Sequence, residues 1–516
     1  MDVMILALLL CFASIPTVHS SKFLAIPYNS KSHYFAMKKI AEELAQRGHK
    51  TVLLAFETKE QEAKVHPNLN IVTCSGTNNI RLHENLATEL LQKKAGLSEM
   101  MTSITEMNLK MCDCILSDNN VIKEFKSCDV MINDMSLVCG SVIHDLLGIP
   151  RVTFFSGLVP PTMHSWMYSI PMPLSYIFHI ATGFTTKMSF LQRVGNLIHF
   201  PVVSVFLYFY FRSTSDTIRA RYNITPERNH WDSESDTDLV LIQTDFAINY
   251  ARPLPPGVIA IGPLSPEPAK PLPEELERFM DFHANPEGVV VVSFGTEAEA
   301  AVMGSNIMEK MMKAFGQLKQ GVLWKLRGTP TIPIPQNIKV LPWIPQNDVL
   351  GHVNTKVFVT HVGHNGMFEA AYHSVPMVGI PLLFDQLDNA RMMEAAGLGI
   401  AVDIHSITAD ELTAVIERVL RESSFSSNAA RVSRLLKDRK RTPVQEAADH
   451  MEYVLRHGGT KHVRPAVLDI PWYQYFLFDV IIFVVATVTI VLAMVVFILR
   501  WLFGFCCKKV LKTKRE

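Results

Sequence analysis

An imidazole, a carboxamide and two glycines crowd one turn at His361, Gly363, Asn365 and Gly366. The turn follows Val357-Phe358-Val359-Thr360, a short β-branched and aromatic run that suits a buried parallel strand. Residues 367–373 can open a helix behind it. A helix N-terminus behind a glycine turn offers free N–H groups and the positive end of the dipole, which makes an anion site. An acid and an amide, Asp385 and Gln386, follow after the next strand-like run. Together these residues could hold a phosphate and its sugar. Metal binding is not expected. His361 and His364 straddle the glycine turn and lack the spacing of two histidines one helical turn apart, and His364 and His373 read as structural.

A second set lies near the N-terminus. Lys31-Ser32-His33-Tyr34 follows the strand-like Phe23-Leu24-Ala25-Ile26 and precedes a helical pattern at 36–46 that stops at Gly48. Asp134 ends another run, 129–133. Taken alone, His33 reads as a surface or capping residue and Asp134 as a helix N-cap.

The elements around these residues alternate. Runs at 23–26, 51–56, 129–133, 151–155 and 238–243 form one strand set, with helical patterns between them. Eight prolines between 253 and 273 mark a linker, because proline suits neither a helix interior nor a central strand. A second set follows at 289–294, 322–326, 340–343, 357–360, 377–380 and 400–402. Two such halves predict an α/β protein with two parallel-sheet lobes facing across a cleft, and ligands at the carboxyl ends of strands. His361, Gly295-Thr296 and Asp134 all fall there. The boundaries are 21–250 for the first lobe, 251–286 for the linker and 287–458 for the second lobe.

The 516 residues suffice for two or three domains, and the formal net charge of zero gives no footing for bulk nucleic-acid binding. Residues 1–20, apolar from Val3 to Ala13 with small residues after, read as a signal peptide. Residues 480–499 form about 20 uncharged, mostly apolar positions, enough to cross a bilayer as a helix of ~30 Å. The span is set at 476–499, after a juxtamembrane segment 459–475. Arg500, Lys508, Lys509, Lys512, Lys514 and Arg515 follow, so the tail 500–516 is expected in the cytosol and the bulk of the chain in the lumen. The final Lys512-Thr513-Lys514-Arg515-Glu516 is similar to a dilysine retrieval signal of the endoplasmic reticulum. The five cysteines expected in the lumen (74, 112, 114, 128 and 139) allow two bridges at most and leave one thiol. Asn223-Ile224-Thr225 is a glycosylation sequon. The segment 177–211 is dense in Phe, Tyr, Leu and Val, and reads as an apolar acceptor pocket or an interfacial membrane patch rather than a second span. A Walker loop, a G-x-S-x-G elbow and a G-x-G-x-x-G fingerprint are all missing from the sequence.

The stretch from Trp343 to Gln386 strongly resembles the signature of the animal membrane-bound UDP-glycosyltransferases, which include the glucuronosyltransferases. The resemblance covers almost the whole chain. It implies a GT-B fold, a C-terminal lobe that binds the UDP-sugar and an N-terminal lobe that binds the acceptor. By the resemblance, Trp343 stacks on uracil with Gln346 beside it, and Glu369 holds the ribose hydroxyls. His361, Gly363, Asn365, Gly366 and the loop residues Ser293, Gly295 and Thr296 surround the diphosphate. Asp385 and Gln386 grip the sugar, His33 is the general base and Asp134 its partner. No cofactor or metal is implied; the UDP-sugar is a co-substrate. The implied partners are this donor, a small lipophilic alcohol or phenol, membrane lipid and, as an open alternative, a second copy of the chain. The implied reaction inverts the anomeric carbon and yields a β-glycoside and UDP.

Two positions depart from the family pattern. Val362 stands where the turn usually has glycine, and would be strained if φ is positive there. Gln243 stands where many glucuronate-using members have arginine. A carboxylate prefers a guanidinium partner, so a neutral UDP-hexose is expected: glucose first, N-acetylglucosamine second, with glucuronate as the alternative. A silent homologue that binds glycosides or lipids is the other class of reading; the presence of both His33 and Asp134 favours an enzyme.

Overall fold

The computed structural model describes residues 21–56, 66–74, 97–158, 163–179, 182–284, 287–295, 304–328, 330, 332–383 and 385–513. Residues 1–20, which the sequence reads as a signal peptide, Thr296 and the last three residues lie outside them. One compact unit runs to Val463, and Arg464–Glu516 forms a second.

The first unit is built on two parallel sheets. The N-terminal sheet has the order β3-β2-β1-β4-β5-β6-β7, with β1 Lys22–Ile26, β2 Lys50–Ala55, β3 Leu69–Thr73, β4 Val130–Asp134, β5 Arg151–Phe155, β6 Leu239–Ile242 and β7 Val258–Ala260. The C-terminal sheet has the order β10-β9-β8-β11-β12-β13, with β8 Val289–Ser293, β9 Gly321–Lys325, β10 Ile338–Leu341, β11 Thr355–Thr360, β12 Met377–Gly379 and β13 Gly399–Ala401. The central strands are covered on both faces, so they read as continuous apolar runs: every residue of β8, VVVVS, is buried. Strand order reverses direction beside β1 in one sheet and beside β8 in the other. Those two switch points are where doubly wound sheets open a ligand crevice.

Helices cover the sheets through apolar stripes. The helix Lys31–Gln46 buries Ala36, Met37, Ile40, Ala41, Leu44 and Ala45 against the N-terminal sheet. Gly48, at φ +92°, lets the chain leave this helix for β2. The helix begins at Lys31 rather than Ala36, which places His33 in its first turn.

The lobe boundaries differ from the sequence expectation in two places. The 251–286 segment carries β7, which pairs with β6 at the edge of the N-terminal sheet, where a proline-rich flank is tolerated. The helix Pro443–His457 falls within 287–458, yet it buries Ala447, Ala448, Met451 and Val454 in the N-terminal core. Arg47 pairs with Asp449 at 2.7 Å and His49 with Glu452 at 3.2 Å along that contact.

Most of the apolar 177–211 segment lies in the helix Phe190–Tyr222. It starts at a Ser189–Gln192 capping box and ends at Asn223 in the left-handed conformation. Its C-terminal part is anchored by the buried Arg219–Asp145 pair at 2.7 Å. Its N-terminal part exposes Leu191, Leu197, Ile198, Val202, Phe206 and Phe209. By length and composition this helix and Phe478–Gly504 could each cross a membrane. The latter belongs to the second unit, within the helix Phe478–Thr513.

Cys74 is bonded to Cys114 and Cys112 to Cys139, which leaves the buried Cys128 as a thiol.

Candidate active site

The N-terminal half of the site forms where β1 and β4 lie side by side, with Ile26 in register with Asn133. Asp134 is the last residue of β4 and is buried. Its Oδ1 accepts the N–H of Ser136 at 2.9 Å, which fixes the carboxylate by its own turn. Its Oδ2 lies 2.6 Å from Nδ1 of His33, in the first turn of the helix after β1. A carboxylate can only accept, so the His33 proton sits on Nδ1 and Nε2 carries the lone pair. Burial alone would lower the His33 pKa. The charge and hydrogen bond of Asp134, with a smaller contribution from Asp385, outweigh it and raise the pKa above 6.5.

The C-terminal half forms where β8 and β11 lie side by side, with Ser293 opposite Thr360. His361 leaves the end of β11 there. A Cβ on Gly295 would lie 2.9 Å from its Nε2, and a Cβ on Gly363 2.5 Å from it, so both glycines are needed to seat the ring. Burial, and then the positive charge of Lys325, push the His361 pKa down to about 4, so the imidazole is neutral. The helix after the turn runs from His364 to Tyr372 with Gly363 as N-cap, three residues earlier than the sequence suggests. Asn365 and Gly366 therefore belong to its first turn, whose N–H groups are the free ones.

Val362 sits between His361 and Gly363 at φ +60°. A β-branched residue in this region is strained. The surroundings hold it: the side chain is fully buried in the core and the carbonyl accepts Nδ2 of Asn389 at 3.1 Å. The same Nδ2 lies 2.7 Å from Oδ2 of Asp385. Asn389, which no sequence motif singles out, thus ties the strained turn to the acid. Burial raises the pKa of Asp385. Gln386 opens the next helix, and its Oε1 accepts the N–H groups of Leu382 and Leu383 at 2.7 and 2.9 Å. Its amide Nε2 is the remaining donor.

At the far end, Trp343 is 61 % exposed after β10, with Nζ of Lys325 5.0 Å above its ring. Gln346 donates to Oε2 of Glu369 at 2.7 Å. Burial raises the Glu369 pKa to about 7 despite that bond. An exposed ring and a paired amide and acid suit a flat base and a vicinal diol.

The two halves meet. Gln243 Nε2 donates to Oδ1 of Asn365 at 2.6 Å. Ser265 Oγ donates to the Asn365 carbonyl at 3.3 Å. His364 faces Gly157 of the N-terminal half, 3.7 Å from where a Cβ would stand, and burial lowers its pKa to about 4. His373 is tied to Asn347 at 3.0 Å. Asp134 and Ser293 end β4 and β8; His33, Gly295, His361, Gly363, Asn365 and Gly366 follow the ends of β1, β8 and β11, Trp343 and Gln346 follow β10, and Asp385 and Gln386 follow β12, with Glu369 joined to Gln346.

The family model described as "UDP-glucoronosyl and UDP-glucosyl transferase" matches residues 21–516. The human 2-hydroxyacylsphingosine 1-beta-galactosyltransferase is 30 % identical over 508 residues, covering 97 % of this chain and 92 % of that one. The rat UDP-glucuronosyltransferase 1A5 is 32 % identical over 533 residues, covering 97 % and 94 %. Among solved structures, the glycotransferase of kitacinnamycin aligns with TM-score 0.59 at 18 % identity, over 84 % of this chain and 99 % of that one. Os79 from O. sativa aligns with TM-score 0.58 at 17 % identity, with the same coverage. The two-sheet architecture is the GT-B fold of glycosyltransferases, and the chain belongs to the UDP-glucuronosyl and UDP-glucosyl transferase family.

Proposed function

We propose that the protein transfers a hexosyl group from a UDP-sugar to a hydroxyl of a small lipophilic alcohol or phenol, with inversion. The observation that carries this reading is the His33–Asp134 pair, which sits at one switch point while the glycine turn at His361 sits at the other. His33 Nε2 takes the acceptor proton as the hydroxyl oxygen attacks the anomeric carbon. The carbon–oxygen bond to the diphosphate breaks, and UDP leaves with the electron pair. Asp134 stabilises the imidazolium, as in a serine-protease triad without the serine. Trp343, Gln346 and Glu369 take the nucleoside. Ser293, Gly295, Thr296, His361, Gly363, Asn365 and Gly366 take the diphosphate. Asp385 and the Gln386 amide take the sugar hydroxyls. The UDP-sugar is a co-substrate, and no other cofactor is assigned.

The donor is a neutral UDP-hexose, glucose before N-acetylglucosamine. Gln243 supports this, because its amide is bonded to Asn365 and offers no cation to a carboxylate. Assaying UDP release with UDP-glucose, UDP-N-acetylglucosamine, UDP-galactose and UDP-glucuronate and a phenolic acceptor tests it. Clear preference for UDP-glucuronate overturns the neutral-donor reading, and no release with any donor favours a silent homologue.

The apolar helix Phe478–Gly504 supports a C-terminal membrane anchor, and the lysines and arginines after it support a type I placement in the endoplasmic reticulum membrane, lobes lumenal and tail cytosolic. The exposed stripe from Leu191 to Phe209 supports membrane lipid as a second contact. A fluorophore at Ile198→Cys should be quenched by brominated lipid in vesicles; a signal indifferent to the lipid argues against that contact.

A further inference from the structure

Lys325 is the last residue of β9, at the carboxyl end of the second strand of the C-terminal sheet. It is in register with Ser293 of β8 on one side and with Leu341 of β10 on the other. Only 8 % of the residue is exposed. A buried ammonium normally has a carboxylate partner. Among the described residues, no carboxylate lies within ion-pair distance of this one, and its ammonium stands 5.0 Å from the centre of the Trp343 ring. Its electrostatic surroundings are mixed: Arg327 and Lys31 repel it, and Glu369 attracts it. Glu369 is itself occupied by Gln346. The charge of Lys325 also bears on His361, whose ring stands beside Gly295 at the end of the neighbouring strand. Lys325 therefore stands between the aromatic ring at one end of the site and the imidazole at the other, with a positive charge that the described residues leave largely uncompensated.

We propose that the Lys325 ammonium is a binding group for the diphosphate of the nucleotide donor, bridging the base end at Trp343 and the anion turn at His361. This rests on the UDP-sugar reading of the cleft and adds to it a residue that the motif between Trp343 and Gln386 does not contain. Lysine suits the task as a compact charge with three donors on a flexible stem. The bound diphosphate supplies the missing counter-charge, and the stem packs against the indole.

The test compares equilibrium binding of UDP and of uridine to the full-length protein, wild type, Lys325→Met and Lys325→Arg, with thermal unfolding to confirm folding. Lys325→Met should weaken UDP about 10- to 100-fold, the range of one charge-assisted hydrogen bond, and leave uridine within about 3-fold. Lys325→Arg should recover most of the UDP affinity. Equal weakening of both ligands shows that Lys325 only props Trp343, and no weakening of UDP shows that it faces no phosphate; either overturns the proposal. A wild-type protein that binds neither ligand overturns the UDP-sugar reading itself, a different failure.

Discussion

His33 Nδ1 lies 2.6 Å from Asp134 Oδ2, and this bond decides which nitrogen faces the cleft. His33→Ala removes the base and should lower kcat about 10²- to 10⁴-fold, with little change in donor KM. Asp134→Asn keeps the shape and releases the tautomer, so a comparable loss in kcat is expected. A variant of either kind that keeps wild-type kcat removes the pair from the chemistry.

The pH profile follows from the same pair. A base must be neutral to act, and Asp134 raises the His33 pKa above 6.5. The acid limb of kcat/KM should therefore fall above pH 6.5, with rate lost as pH drops through it. In whatever activity Asp134→Asn retains, the limb should move to lower pH. A limb at the same pH in both proteins argues that another group titrates.

Glu369 has its pKa raised to about 7 by burial. Its carboxylate accepts ribose hydroxyls better than its acid does, so donor KM should rise as pH falls through about 7. Glu369→Gln should bind donor more weakly and show no such slope. Initial rates across donor concentration at pH 6 and 8 measure this.

Val362 combines strain and burial at φ +60°. At an ordinary helical position glycine is roughly 1 kcal/mol worse than alanine. Here glycine relieves the left-handed strain that alanine retains. Val362→Gly should be no less stable than Val362→Ala, although it removes more buried carbon. Both should unfold below wild type, because burying a valine contributes about 1.5–3 kcal/mol. Thermal unfolding of the three proteins gives the order, and a clearly more stable alanine variant contradicts the strain.

The Cys112–Cys139 bridge closes a sequence separation of 27 residues and Cys74–Cys114 one of 40. Breaking either one should cost roughly 3–4 kcal/mol by the loop-entropy relation. Cys128 is buried with its pKa pushed up to about 12. It should resist alkylation in the folded protein and react after denaturation, which mass spectrometry can read.

Much of this fold was legible because its central strands are uniformly apolar and punctuated by glycine and proline. The donor turn was legible for the same reason, since glycine, histidine and asparagine crowd a strand end. What escaped was set by distant partners. The edge strands β3 and β7 are short, and β3 is only partly buried, so their patterns are weak. The helix Pro443–His457 shows an ordinary amphipathic stripe, and nothing local says that it docks on the other sheet. His33 looked like a loop residue because the polar first turn of its helix hides the start of the apolar period. Lys325 hides in an apolar strand, and only the sheet order brings it between Trp343 and His361. The Gln243–Asn365 bond joins residues 122 apart in sequence and needs both lobes.

The most direct measurement is the anomeric configuration of the product, followed by NMR with α-linked UDP-glucose and a phenolic acceptor, for wild type and His33→Ala. The expected result is a β-glycoside with stoichiometric UDP from wild type and almost none from His33→Ala. An α-glycoside, or undiminished product from His33→Ala, contradicts direct displacement with His33 as the base.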